Sequence, residues 1–469
     1  MDKSNTNISM KKTLFLAALL SMFIGGAKAQ EKVSFKFYGF VRNYACYDTR
    51  ESLTSNSEQF YYMPKNVNPD ADGNDINAQP NMMLLSITTR LGLNITGPEF
   101  LGAKTSAKLE SDFAGFSTSN TVLRIRQAYA KMDWEHNKVL VGQAWHPMMG
   151  DMMPDVFSLE TGAPFTPFSR TPQLRYDYVN KGVTLTATAL YQFQYTSYGP
   201  KSATDNTSTG SFDYARNAVV PEIYLQAMYK NGGFQAGAGI DILTLKPRQS
   251  YAITETTKEI LYYTPAYDEN GAQIVDDNGK PVLMPTEKST TKTKTYKCNE
   301  APVVSFTPTL FASYKANRWG IKGRVTYAQN AAHLSMISGY GVTDIKDNGE
   351  WEYGTINSLG GWIDATYKQP LKKGYLQFCC FAGYTKNLGC EKDIMKDAKG
   401  YLLFMRGEKN MDYMWRIAPS ILYTHNAMQI GIEYNPTTVG YGEHDGDYKM
   451  YNPKPVTNHR ICAMLKYNF

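Results

Sequence analysis

Arg460-Ile461-Cys462-Ala463-Met464-Leu465-Lys466-Tyr467-Asn468-Phe469 is the stretch that decides the fold. Ile461, Ala463, Leu465, Tyr467 and Phe469 fall on one side of an extended chain, and Arg460, Cys462, Met464, Lys466 and Asn468 on the other. Side chains alternate across a strand, so strict period two marks a β-strand with one apolar face. The competing assignment at this point is an ordinary edge strand of a secreted sandwich.

Working outward, the same alternation recurs from Val33 onward and predicts sixteen strands. The first eight lie near 33–47, 81–96, 102–114, 121–134, 138–146, 171–180, 182–196 and 218–230. The second eight lie near 234–246, 302–315, 319–332, 355–368, 374–387, 411–425, 427–437 and 457–469. Connections alternate between tight and long. The tight ones contain Gly97-Pro98, His136-Asn137, Asn180-Lys181-Gly182, Asn231-Gly232-Gly233, Arg318-Trp319, Lys373-Gly374 and Asn426; the longest polar segments lie near 48–80, 147–170, 249–301 and 388–410. An even strand count with short turns at one end and long loops at the other is the pattern of a bacterial transmembrane barrel. The terminal Phe resembles the closing strand of such barrels, and both termini are then expected in the periplasm.

The faces agree. On the seventh strand Val183, Leu185, Ala187, Ala189, Tyr191 and Phe193 oppose Thr184, Thr186, Thr188 and Gln192; on the fifteenth Met428, Ile430, Ile432 and Tyr434 oppose Gln429 and Glu433. A polar interior is no packed core, and the side chains of sixteen strands cannot meet across the axis, so the apolar side must face lipid. The expected fold is an all-β, 16-stranded antiparallel transmembrane β-barrel with an inward-folded third loop.

Met10-Lys11-Lys12, the apolar run Leu14 to Ile24 and Ala27-Lys28-Ala29 read as a signal peptide, residues 1–29, so the barrel domain is expected to occupy 30–469. Beyond Gln30 no stretch has the roughly 18 apolar residues of a spanning helix, and the mean hydropathy is -0.41. Aromatics make up 13% with 34 tyrosines, which suits interfacial girdles. Residues 1–29 carry four lysines and one aspartate, which leaves 45 basic and 42 acidic residues. That near-balance gives no reason to expect a nucleic-acid partner. The six cysteines, Cys46, Cys298, Cys379, Cys380, Cys390 and Cys462, fit no zinc spacing; Cys298 and Cys390, both in long loops, either pair after export or stay free thiols.

The segment after the fifth strand is the most informative: Gly142-Gln143-Ala144-Trp145-His146-Pro147, then Asp151, Asp155 and Glu160, then Gly162-Ala163-Pro164-Phe165-Thr166-Pro167-Phe168. It joins strands five and six, where sixteen-stranded porins fold a loop into the lumen. Val141-Gly142-Gln143-Ala144-Trp145, Arg124-Ile125-Arg126-Gln127-Ala128-Tyr129 and the terminal Phe together resemble DcaP-like porins, including those of Bacteroidota. The resemblance implies a homotrimer of passive diffusion pores for small hydrophilic solutes in a Gram-negative outer membrane, in contact with its lipid and lipopolysaccharide, without cofactor. The DcaP type carries an N-terminal coiled coil, whereas strand one here begins almost at the cleavage site. Trimer contacts are therefore expected from the wall, where Gly39, Ala103, Ala107 and Ala463 read as outward-facing and Gln127 does too unless the register slips by one there.

Facing inward at similar height are Arg42, Arg90, Lys108, Arg126 and Arg175, with Arg124 just above. Asp151, Asp155 and Glu160 of the folded-in loop are expected opposite. These nine residues are the expected pore constriction: guanidinium stays charged and engages carboxylate or phosphate bidentately, so the arc favours anions weakly. The alternative is that the arginines only neutralise Glu110, Asp112 and Asp177. Enzyme readings fare poorly, since His333 with Ser335 is the nearest thing to a dyad and no third group orients it. No residue is assigned as a metal ligand; Asp70-Ala71-Asp72-Gly73-Asn74-Asp75 fails the EF-hand pattern and reads as a solvated turn. A second function class is a surface-binding protein or adhesin acting through the 249–301 loop, whose Asp268-Glu269-Asn270-Gly271 and Asp276-Asp277-Asn278-Gly279 read as hairpin turns.

Overall fold

The computed structural model describes residues 33–55, 60–115, 122–150, 152–157 and 162–469. The expected signal peptide, residues 1–29, lies outside the described residues. Sixteen staves close an antiparallel barrel. They are β1 Ser34–Asp48, β2 in two pieces (Asn81–Leu85 and Arg90–Thr96), β3 Lys104–Asp112, β4 Arg124–Asp133, β5 Asn137–Trp145, β6 Arg170–Asn180, β7 Val183–Leu190 and β8 Glu222–Asn231. The others are β9 Phe234–Leu245, β10 Val303–Lys315, β11 Trp319–Gln329, β12 Trp351–Pro370, β13 Tyr375–Gly389, β14 Met411–His425, β15 Met428–His444 and β16 Met450–Asn468. Every stave pairs with its neighbour, and β1 closes on β16 with Val41 opposite Tyr467 and Cys46 opposite Cys462.

The alternation holds on the staves. Val183, Leu185, Tyr191, Phe193, Ile430, Ile432, Ile461 and Leu465 are exposed on the outside, while Thr186, Thr188, Gln192, Glu433, Arg460 and Cys462 are buried on the inside. Tyr178, Tyr229, Phe234, Tyr314, Trp319, Tyr367 and Tyr467 stand exposed near the short-turn end of their staves. Their amphipathic rings suit the lipid headgroup level, and the start of β1 and the end of β16 lie at that rim.

The wall differs from expectation where loops begin. Strand seven stops at Leu190, and strand eight starts at Glu222 because Asp213–Ala218 turns into a short helix. Strands twelve, fifteen and sixteen run further than predicted, to Trp351, His444 and Met450, so the β12–β16 wall rises highest. Cys298 and Cys390 are buried free thiols, and the disulfide joins Cys46 to Cys462 instead, tying the first stave to the last. These two cysteines face each other across the seam, whereas Cys298 and Cys390 are packed under different loops. Asp70 accepts the amides of Asp72 and Asn74 at 2.9 and 2.8 Å, and Asp75 pairs with Arg50 at 3.0 Å, which makes the 70–75 segment a self-satisfied turn.

Two loops enter the lumen. The third outer loop (146–169) crosses to the far wall, as the sequence predicts. The first (49–80) also turns inward, against its reading as a long polar segment: Phe60-Tyr61-Tyr62-Met63 is at most 3% exposed. Tyr62, Met63, Met152 and Phe165 pack with inward-facing Phe311, Trp362, Phe381 and Met414. The outer half of the lumen is therefore narrowed by apolar packing against one wall.

Candidate pore constriction

The β3–β4 pair carries the densest charge. Opposite Glu110 and Ser111 of β3 stand Gln127 and Ile125 of β4, so Arg126 is an extra residue and the strand bulges there. A bulge resets the pleat, which turns both Arg126 and Gln127 inward. The Gln127 amide donates to Glu110 at 3.2 Å, so it is no part of an outward patch. Of the other residues read as outward, Ala103 is fully buried in its turn and Gly39 lies beneath the Phe469 ring; Ala463 alone is clearly exposed, with Ala107 half-buried. The carbonyls freed by the bulge are taken up from outside: Gln143 donates to Ile125 O at 2.8 Å and Arg126 O at 3.2 Å.

Arg124 forks onto Asp112 at 2.9 and 2.8 Å, and Arg126 bridges Glu110 at 2.9 Å and Asp112 at 2.7 Å. Arg90 and Lys108 reach Glu110 at 3.6 and 3.9 Å, and Tyr38 donates to it at 2.8 Å. Four cations thus share two carboxylates. Their exposure separates them: the side chains of Arg124 and Arg126 are 3% and 7% exposed, those of Arg90 and Lys108 are 22% and 25%. The first two brace the wall and the second two face water. Arg90 also shares the Phe40 ring with Lys466, at 4.9 and 4.3 Å from its centroid, which adds to the arc a cation not among the nine expected residues. Arg42 stacks on Tyr44 at 4.3 Å and donates to Phe157 O of the third loop at 3.0 Å.

Not all the predicted residues come together. Arg175 pairs within its own strand with Asp177 at 2.8 Å, away from this network. Asp151 and Glu160 lie outside the described residues. Asp155 hangs from the β11–β12 side: Lys322 binds its carboxylate at 2.7 Å, and its amide meets the Asp364 carboxylate. It is thus already paired.

The far wall makes room for the loop with glycines. A Cβ on Gly383 would sit 2.5 Å from Phe165 Cγ, and one on Gly431 would sit 2.5 Å from Phe157 Cζ, so each ring lies where a side chain would otherwise be. Glu433 accepts the Phe157 amide at 2.6 Å. Arg416 of β14 joins both inward loops, donating to Tyr62 O at 2.7 Å and Ala163 O at 3.2 Å while stacking on Tyr61 and Phe165.

A second polar cluster unites residues scattered in sequence. His146, Glu222, Asp241 and His333 are each at most 3% exposed. His146 Nε2 lies 2.8 Å from Glu222 Oε1 and 3.7 Å from Asp241 Oδ1, and His333 Nε2 lies 3.3 and 3.6 Å from the same two carboxylates. Burial pulls the His333 imidazolium down, but Glu222 and Asp241 outweigh it and hold its pKa at about 10. Ser335 donates to Phe168 O at 3.1 Å rather than facing His333, so no dyad forms there. The signal for this cluster was absent from the sequence because its members sit at 146, 222, 241 and 333.

A charged, polar interior beneath an apolar belt with an aromatic rim is stable only in a bilayer, and sixteen closed staves with an inward loop are the porin fold. The chain is an outer-membrane β-barrel of the Gram-negative type. Residues 2–190 match the family model described as DcaP outer membrane protein. Among solved structures, the outer membrane channel DcaP of Acinetobacter baumannii is 17% identical with a TM-score of 0.60, over 95% of this chain and 99% of that one. A loop-deletion form of OmpT from Vibrio cholerae is 11% identical with a TM-score of 0.48, over 94% and 100%. The anion-selective porin of Comamonas acidovorans is 12% identical with a TM-score of 0.49, over 93% and 100%. No curated protein matches the chain.

Proposed function

We propose that the barrel is a passive diffusion pore for small hydrophilic solutes with a weak preference for anions, and that it works as a homotrimer without catalysis. The observation that carries the anion preference is the sharing of Glu110 and Asp112 among Arg90, Lys108, Arg124 and Arg126. Two buried arginines satisfy the carboxylates, which leaves Arg90 and Lys108, with Arg42 and Lys466 beside them, as net positive charge toward water. Charged rings at a constriction set ion selectivity, and a carboxylate or phosphate solute fits a guanidinium and an ammonium held side by side. The trimer reading is supported by Gln143 and Asn43, polar residues on the outer face that lipid would not favour.

Reversal potentials in a salt gradient across a planar bilayer test this. Wild type is expected to prefer chloride over potassium, and the Arg90→Ala/Lys108→Ala double variant is expected to lose that preference, a change of about twofold or more in permeability ratio. Cation selectivity in wild type overturns the proposal. A surface-binding role has one observation in its favour: the tip of the long hairpin exposes Ile260, Leu261, Tyr262, Tyr263, Leu283 and Met284. Liposome swelling separates the two, because a barrel serving only as a mount passes no sugar.

A further inference from the structure

We propose that His146, Glu222, Asp241 and His333 form a binding site for one divalent transition-metal ion of the zinc, cobalt or iron(II) class, which fastens the root of the third outer loop to the barrel wall. The donors come from four elements: His146 opens the third loop directly after β5, Glu222 begins β8, Asp241 lies in β9, and His333 sits in the Ala332–Leu334 turn after β11. One ligand atom each from His146, Glu222 and Asp241 lie within 4.8 Å of one another, and His333 Nε2 approaches the same carboxylates.

Three features distinguish this cluster from an ordinary buried ion pair. Glu222 Oε2, Asp241 Oδ1 and both ring nitrogens of His333 have no hydrogen-bond partner among the described residues, although all are enclosed. Met148, Leu190, Tyr224, Ala328, Ala331, Leu334 and Met336 form one buried apolar cluster whose Tyr224 ring meets His146 edge-on at 5.6 Å, and beside such surroundings two buried carboxylates are costly. A single divalent cation neutralises both carboxylates, takes their free oxygens as ligands, and binds an imidazole nitrogen of His333 by displacing its proton to solvent. Two imidazole nitrogens with two carboxylate oxygens are a borderline donor set that suits zinc, cobalt or iron(II), whereas calcium and magnesium prefer oxygen alone.

Occupancy has a structural consequence at His146. The Met148 amide donates to its Nδ1 at 3.2 Å, which leaves the proton on Nε2. An ion on Nε2 moves that proton to Nδ1, so the amide contact opens and the Pro147–Gly150 turn shifts. The site thereby couples metal to the position of the constriction loop.

The test is to refold or express the full barrel with Co2+, remove free metal by gel filtration, and measure cobalt per chain and its visible spectrum. One retained cobalt per chain, with a low-coordinate d–d band and imidazole scattering in its X-ray absorption, is the expected result. The His333→Asn and Glu222→Gln variants, checked for folding by heat-modifiable gel migration, are expected to lose at least tenfold in retained cobalt. Absence of cobalt from folded wild type, an all-oxygen shell around it, or unchanged retention in a folded variant each overturns the proposal. The wild-type measurements decide the matter even where a variant misfolds.

Discussion

The third outer loop and the long hairpin of residues 250–297 leave the same rim of the barrel and end in opposite surroundings. The third loop places Met148, Met149, Met152, Phe157, Phe165 and Phe168 in full burial against the lumen wall. The hairpin pairs Ser250–Pro265 with Leu283–Lys297 in a sheet of its own, and from Thr254 to Thr264 every residue is exposed. Its internal ties are rungs of Thr254 with Thr293 at 3.1 Å and pairs such as Lys258 with Glu287 at 2.8 Å. Composition accounts for the divergence. Methionine and phenylalanine gain by burial, about 2 kcal/mol each, whereas threonines and lysines lose nothing in water and hold a ribbon by cross-strand pairing. At the hairpin's foot the rule reverses once: Arg248 stacks on Trp351 at 3.6 Å and donates to Glu300 at 2.9 Å, so the ribbon stands on a buried base.

The sharpest way to break this contrast is to free the inward loops. Arg416→Ala removes the donor shared by Tyr62 O and Ala163 O and leaves buried carbonyls unmatched, with a cost of about 2–4 kcal/mol. A lower urea midpoint of the folded barrel and a larger, noisier single-channel conductance are expected, because both loops loosen from one wall. An unchanged conductance would mean that these loops do not bound the passage. The next effect in size comes from Gly383→Ala. Its new methyl meets the root of the Phe165 ring rather than a mobile tip, so the loop must back away at about 1–3 kcal/mol. Phe165→Ala in the same chain relieves the clash, and the double variant is expected to recover more stability than the two separate losses predict.

How far the sequence displayed these regions follows from how each is encoded. Period two and the alternation of turn lengths are local signals, so the sixteen staves and seven tight turns were legible from residues such as Val183 to Phe193. The inward third loop was legible through its position and its Gly162–Phe168 run. The first loop was not anticipated, although Phe60-Tyr61-Tyr62-Met63-Pro64 offers five consecutive residues without charge in an otherwise polar loop, and that was a usable signal. Arg126 and Gln127 illustrate a different limit. A bulge adds one residue to one strand only, and no single-strand pattern announces it; its trace is two consecutive polar residues both claiming the lumen. The pairings of Arg416, Asp155 with Lys322, and the His146–His333 cluster join chain segments from 76 to 354 positions apart, which spacing cannot disclose.

The smallest expected effect is also the most direct test of the hairpin's independence. Replacing residues 254–293 by a two-residue Asn-Gly turn keeps Ser250 to Ile253 paired with Lys294 to Lys297, and so preserves the stacked Tyr251–Tyr296 pair and the Arg248–Glu300 base. Apart from Ala266, which is buried within the ribbon itself, and the half-buried Pro265 and Thr286, everything removed is exposed, and the ribbon shares no strand pairing with the barrel wall among the described residues. Surface changes of that kind stay within about 0.5 kcal/mol, so urea midpoint, conductance and reversal potential should all match wild type. If conductance rises instead, the ribbon folds over the mouth in the membrane and belongs with the first and third loops rather than against them. If only binding of the protein to apolar-surfaced beads falls, the exposed Ile260–Tyr263 tip acts outward while the pore beneath it works unaided, and the division between the two regions becomes one of task as well as of packing.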